Sequence, residues 1–320
     1  MEENKITDEA YQSFINSLKT NVPADNNNAG HTYKVPVAEI QFDNYIPVKW
    51  GVDYIQIADE ADELEMYMLA GKNYIIEGDK GLGKTQLVHN ICVKHNLALV
   101  TLTCSEGTKI GELIGRPQIN EFGSYYQLGI LPTAIEVANH FGKGVLYIDE
   151  LNTLTHEIQK TLNSITDGRM SINANGKVYR VNNGVTLSVV GTMNPVTYSG
   201  VNSLTEDVRS RFIGSVWSYP DNDTLKQIID WTDIDELTIM NPMLTLVQNI
   251  HNLRLNSDVE YSLSPRDIAQ FTECYKLLKD STLKKPLERS LKNTVMCKFS
   301  DIGQRELIKK QINDIFGVTV

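Results

Sequence analysis

The chain has 320 residues, room for about two domains with full apolar cores, and its 41% hydrophobic and 22% charged residues exclude a mini-protein, a disordered chain and a collagen-like repeat. Thirty Lys and Arg against 40 Asp and Glu give a formal net charge of -10, which argues against a protein that holds duplex nucleic acid mainly by neutralising phosphates. The charge is uneven: residues 241–320 carry 12 basic and 9 acidic side chains, leaving 18 basic and 31 acidic in the first 240.

Residues 1–45 read as a polar N-terminal segment and linker, with a short helix expected over 11–18 and a turn-rich stretch over 21–30. The opening residues are acidic and polar where a secretory leader would be basic and then apolar, and no run approaches about 18 apolar residues. A soluble cytoplasmic protein without membrane contact is expected. Cys92, Cys104, Cys274 and Cys297 lack zinc-ligand spacing and are expected as reduced thiols. Over 53–69, Ile55, Ile57, Ala61, Leu64, Met68 and Leu69 approximate helical spacing and predict a helix that Gly71 ends.

Apolar runs at 73–77, 97–102, 145–148, 185–190 and 214–218 then alternate with helical segments. This predicts an α/β core over 46–220, with a parallel sheet covered by helices on both faces. Residues 117–128 and 169–181 each place a turn signal between β-type residues and read as inserted β-hairpins. Beyond Pro220 only amphipathic patterns recur, at 221–231, 243–253, 265–278 and 303–315. They predict a small all-α domain over 221–320.

Two motifs carry chemistry. Gly78-Asp79-Lys80-Gly81-Leu82-Gly83-Lys84-Thr85 satisfies the G-x-x-x-x-G-K-[ST] pattern between an apolar strand and an amphipathic stretch, the context in which backbone N–H groups and a helix dipole cradle phosphates. Lys84 would neutralise the β- and γ-phosphates, and Thr85 would ligate the Mg²⁺ that bridges them. Sixty-five residues beyond Lys84, an apolar strand ends in Asp149 and Glu150. Asp149 can hold the Mg²⁺ shell and Glu150 can polarise a water for in-line attack on the γ-phosphate.

Joined to Gly191-Thr192-Met193-Asn194-Pro195, these motifs resemble the AAA+ ATPases, and more narrowly their MoxR and dynein-related branch. Gly111-Glu112-Leu113-Ile114-Gly115, the Leu151-Asn152 pair after the acids, Arg209-Ser210-Arg211-Phe212 and Ser264-Pro265-Arg266 follow in family order from about residue 46 to 315. The resemblance implies a P-loop NTPase fold with an all-α lid, and ATP hydrolysis with Mg²⁺. It implies Asn194 as the sensor that orients the attacking water, and Arg211, with Arg209 as runner-up, as an arginine finger reaching a neighbouring subunit's nucleotide. Arg266 sits in the first turn of a predicted helix, where it opposes the dipole; the resemblance makes it a second sensor contacting the phosphates.

The resemblance further implies a homo-oligomer, a hexameric ring, that remodels or matures a partner protein, often one with a von Willebrand factor A domain. A nucleic-acid motor or loader and a chelatase-type ATPase subunit stay open as alternatives, since a basic pore is invisible to composition. So does GTP beside ATP. Phe122, Tyr125 and Tyr126 make the first hairpin aromatic, fit either to grip a peptide or to pack on their own subunit.

Overall fold

A computed structural model describes residues 35–50, 54–56, 59–121, 123–195 and 202–320. The helix expected at 11–18, the stretch at 21–30 and Phe122 lie outside these residues. In chain order the strands are β1 (Tyr74–Gly78), β2 (Ala98–Thr103), β3 (Gly115–Asn120), β4 (Gly123–Leu128), β5 (Lys143–Asp149), β6 (Ser171–Ala174), β7 (Lys177–Arg180), β8 (Thr186–Met193) and β9 (Ile213–Trp217). Five of them form one parallel sheet in the order β2-β5-β8-β1-β9. β1, β5 and β8 are nearly continuous buried apolar runs, as strands covered on both faces must be.

The helices of this part are α1 (Glu60–Leu69), α2 (Lys84–His95), α3 (Ile110–Leu113), α4 (Ile130–Phe141), α5 (His156–Thr161), α6 (Asn163–Thr166) and α7 (Glu206–Arg209). One buried cluster joins α4 to the sheet through Leu131, Ile135 and Leu146, and a second joins α1 and α2 to it through Leu64, Val88 and Tyr147. The helix expected over 53–69 starts only at Glu60. Glu60, Asp62 and Glu63 crowd its first turn, where carboxylates suit the positive end of the dipole, and Ala61, Leu64 and Met68 alone form its buried stripe.

Both expected hairpins form. β3 and β4 pair antiparallel and interrupt what would otherwise be one helix: α3 stops, the hairpin leaves, and α4 resumes after Gly129 N–H bonds the Ile114 carbonyl at 3.1 Å. Gly129 is required there, because a Cβ would come 2.4 Å from the Leu113 carbonyl. β6 and β7 turn at Asn175 and Gly176, whose φ values of 48° and 70° match the twist of a two-residue hairpin. Residues 35–38 lie along β4: Tyr126 N–H donates to the Pro36 carbonyl at 2.7 Å and Ala38 N–H to the Tyr126 carbonyl at 2.9 Å. Asn175 reaches the same segment, donating to the Val35 carbonyl at 2.9 Å.

Beyond β9 come α8 (Asn222–Ile228), a π-helical turn at Glu236–Met240, α9 (Asn241–Leu255), α10 (Pro265–Lys279), α11 (Pro286–Thr294) and α12 (Ile302–Phe316). They share a cluster of their own around Met243, Val247, Phe271, Leu291 and Ile308, each fully buried apolar side chain contributing about 2 kcal/mol of transfer free energy. Among the described residues no helix is long and apolar enough to cross a membrane.

Candidate nucleotide site

β1, β5 and β8 run parallel and end side by side, so the loops that follow them share one edge of the sheet. Parallel pairing sets Glu77 against Met193 and Ile148 against Gly191. The order reverses at β1, whose neighbours are β8 and β9, and in open α/β sheets the crevice beside such a reversal is the usual ligand site.

The 78–85 loop follows β1. Gly81 and Gly83 have φ values of 78° and 82°, and both also make close approaches. A Cβ on Gly81 would stand 2.6 Å from Ser264 Oγ at the start of α10, and one on Gly83 would stand 3.0 Å from the Tyr54 ring. α2 begins at Lys84, so its N-terminus faces the loop and favours anions. The Lys84 ammonium donates to the carbonyls of Gly78 and Asp79, at 2.5 and 2.8 Å. Burial pulls its pKa down to about 8, against the opposing pull of Asp149, Asp79 and Glu150.

Asp149 ends β5, and its Oδ1 accepts from Thr192 Oγ1 at 2.5 Å and from the Tyr147 hydroxyl at 3.0 Å. That hydroxyl stands 2.9 Å from Thr85 Oγ1. Burial first, and then the Asp149 charge, push the Tyr147 phenol well above its ordinary pKa and keep it protonated. Glu150 turns left-handed at φ 55°, and its Oε1 accepts from Asn194 Nδ2 at 3.3 Å and lies 3.8 Å from Lys80 Nζ. Asn194 is held from behind: buried Asn152 donates from Nδ2 to the Asn194 carbonyl at 2.7 Å.

These groups line a cavity of about 650 Å³. Leu82, Lys84, Thr85, Asp149, Glu150 and Asn194 line it from the sheet edge and the loop; Trp50 and Tyr54 come from the preceding segment of the chain, and Ile228, Arg266 and Ala269 from the helical part. Ammonium, hydroxyl, carboxylate and amide groups share this lining with aromatic and aliphatic side chains, a mixture that suits a triphosphate and a base. The donor set fits Mg²⁺ as well, since Thr85 and Asp149 present hard oxygen ligands 2.9 and 3.0 Å from one shared neighbour, the Tyr147 hydroxyl.

Arg266 therefore joins the cavity, held in the first turn of α10 by a capping box between Ser264 and Asp267. The two other arginines do not. Arg211 lies just before β9, whose Ile213 pairs with Tyr74 at the far end of β1, and its Nε donates to Asn163 Oδ1 at 3.1 Å. Arg209, the last residue of α7, is exposed at the same end.

Several residues of this arrangement carry no motif of their own. Tyr147 reads simply as a strand residue; Ile228 belongs to a helix 144 residues beyond Lys84, and nothing in its spacing links it to the phosphate loop. The signal that does exist is the two-residue period, which puts Tyr147 on the same strand face as Asp149.

Residues 73–212 match the AAA domain of the dynein-related subfamily. An uncharacterised protein of Staphylococcus haemolyticus is 24% identical over 247 residues, covering 75% of this chain and 89% of that protein. Denitrification regulatory protein NirQ of Stutzerimonas stutzeri is 25% identical over 169 residues, covering 52% of this chain and 59% of NirQ. Protein CbbQ of Hydrogenophilus thermoluteolus is 25% identical over 171 residues, covering 52% of this chain and 62% of CbbQ.

Proposed function

We propose, from the premise that residues 73–212 are a AAA domain of the dynein-related subfamily, that this ATPase works as a homo-oligomeric ring and spends the free energy of hydrolysis on remodelling or maturing a partner protein. The observation that carries the reading is the convergence of Lys84, Thr85, Asp149, Glu150, Asn194 and Arg266 on one cavity from α2, α10 and the ends of β5 and β8.

The loop amides of residues 78–85 and the Lys84 ammonium hold the β- and γ-phosphates, the ammonium exchanging the Gly78 and Asp79 carbonyls for phosphate oxygens. Thr85 and Asp149 would hold Mg²⁺, which when bound would supply charge neutralisation for the phosphoryl group. Glu150 orients and deprotonates the attacking water, and the Asn194 amide fixes the Glu150 carboxylate and contacts that water. Arg266 closes on the phosphates from α10, so residues 221–320 act as a lid over the core at 46–220. Trp50, Tyr54, Ile228 and Ala269 take the base, with ATP as the nucleotide. Arg211 acts across the subunit boundary of a hexamer, and a protein with a von Willebrand factor A domain is the partner class the resemblance suggests.

Nucleotide binding and phosphate release separate these roles. Lys84→Ala should lose ATP binding. Glu150→Gln should bind ATP with near wild-type affinity and release phosphate about 10²- to 10⁴-fold more slowly, since only the general base is removed. Unchanged phosphate release in Glu150→Gln would overturn the assignment.

A further inference from the structure

We propose that Tyr147 is a positioning residue of the Mg²⁺–nucleotide site, its hydroxyl linking Thr85 to Asp149 so that the threonine oxygen is turned toward the ion. The inference rests on the ATPase reading above.

Tyr147 is 1% exposed, and its ring lies in the apolar cluster with Ile76, Val88 and Val190. A phenylalanine would fill that space, so packing alone gives no reason for the phenolic oxygen. A buried hydroxyl needs a partner, and among the described residues this one finds its partners in the site. Its oxygen is 2.9 Å from Thr85 Oγ1, 3.0 Å from Asp149 Oδ1 and 3.5 Å from Thr192 Oγ1.

The phenol has one proton to give. The carboxylate is the strongest acceptor in reach, so the proton goes to Asp149 and the phenolic lone pairs accept from Thr85. A directed chain results, from Thr85 through Tyr147 to Asp149, each bond polarising the next. It settles which way Thr85 faces: the hydroxyl hydrogen points back at Tyr147 and the oxygen lone pairs point away from it. A hydroxyl ligates a cation through a lone pair, so this is the orientation an Mg²⁺ ligand requires. Asp149 is fixed by the same contact, since Tyr147 and Thr192 both engage Oδ1 and set the plane of the carboxylate. Outer partners of this kind orient the ligands themselves, and removing one typically weakens metal affinity about 10- to 100-fold.

The test is Tyr147→Phe, read by titrating a fluorescent ATP analogue with and without Mg²⁺. Affinity in EDTA should stay within about twofold of wild type, whereas the Mg²⁺ concentration at half of the Mg²⁺-dependent gain in affinity should rise about 10- to 100-fold. Tyr147→Met, which refills the core without a hydroxyl, should give the same shift and carries the test if the phenylalanine variant does not fold. Tyr74→Phe removes the hydroxyl of an equally buried tyrosine residue of the same cluster and should leave the midpoint in place. An unmoved midpoint in Tyr147→Phe, or an equal shift in Tyr74→Phe, overturns the inference while leaving the ATPase reading intact. A wild-type protein that binds no analogue overturns the ATPase reading, and this inference with it.

Discussion

Glu150 follows a buried strand in a left-handed conformation that costs a non-glycine residue of order 1 kcal/mol. Its surroundings hold it there: its carbonyl accepts from both Thr153 N–H and Thr153 Oγ1, each at 2.9 Å, and its amide donates to Thr192 Oγ1 at 3.1 Å. The turn aims the carboxylate at Asn194. Arg266 is fixed in a comparable way by its neighbour Asp267, which is 4% exposed and accepts from Ser264, Tyr261 and Lys298. Burial pushes the Asp267 carboxyl up, but the Lys298 ammonium and the Ser264 and Tyr261 donors outweigh it and leave the pKa below its ordinary 3.8. A depressed carboxylate stabilises the fold fully above its unfolded pKa and loses that stabilisation as pH falls through the folded one. Asp267→Asn should therefore cost about 2 kcal/mol above pH 5, as loss of hydrogen bonds to a charged group does, and the gap to wild type should close progressively below about pH 4. Denaturant melts of both proteins from pH 3 to 7 check this; a pH-independent gap would mean that the charge of Asp267 contributes nothing.

The first hairpin divides its two tyrosines. Adjacent residues of a strand face opposite sides, and Tyr126, paired with residues 36–38, packs against the core cluster. Tyr126→Ala should lose about 2 kcal/mol, roughly half the cost of truncating a fully buried aromatic, because the ring is half-buried. Tyr125 is half-buried too but joins no core cluster among the described residues, so Tyr125→Ala should cost less stability than Tyr126→Ala and impair coupling to a partner. Thermal melts beside partner-stimulated ATPase rates distinguish the two, and equal destabilisation by both would remove Tyr125 as a gripping residue. The hairpins themselves were legible because turn chemistry is local: Asn175-Gly176 announces a two-residue turn whatever surrounds it. The parallel strands were legible for a similar reason, as apolar runs between helical patterns. The start of α1 was not, since Ile55 keeps helical spacing by coincidence and belongs to the cavity wall instead. Nor was α11, whose nine residues show only Leu287 and Leu291 in apolar register. Of the site, the phosphate loop and acid pair declare themselves in contiguous residues, whereas Tyr147, Thr192 and Ile228 become neighbours of the loop only through tertiary contact.

In the whole molecule the sheet separates two kinds of cationic group. Lys84 and Arg266 stand at the end where β1, β5 and β8 release their loops, and Arg211 stands at the other. Tyr74, the partner of Ile213, and Gly78, where the phosphate loop begins, are the two ends of β1, about 13 Å apart at the rise of an extended strand. Arg211 points no nearer, since its guanidinium is engaged by Asn163 on the same side. An arginine so placed cannot serve its own subunit's phosphates, yet a heterologous ring brings one end of each subunit against the opposite face of the next. Under the proposed ring, Arg211→Ala and Glu150→Gln should each be inactive alone, one lacking the proposed finger for its neighbour and the other the proposed base. Mixed in equal amounts and allowed to exchange, they should recover about a quarter of wild-type turnover, the fraction of interfaces that pair an intact acid with an intact finger in random assembly. Phosphate release across a series of mixing ratios measures this directly. Activity that never exceeds the weighted sum of the two pure variants, in a protein that sediments as a monomer at every nucleotide concentration, would place Arg211 outside the reaction.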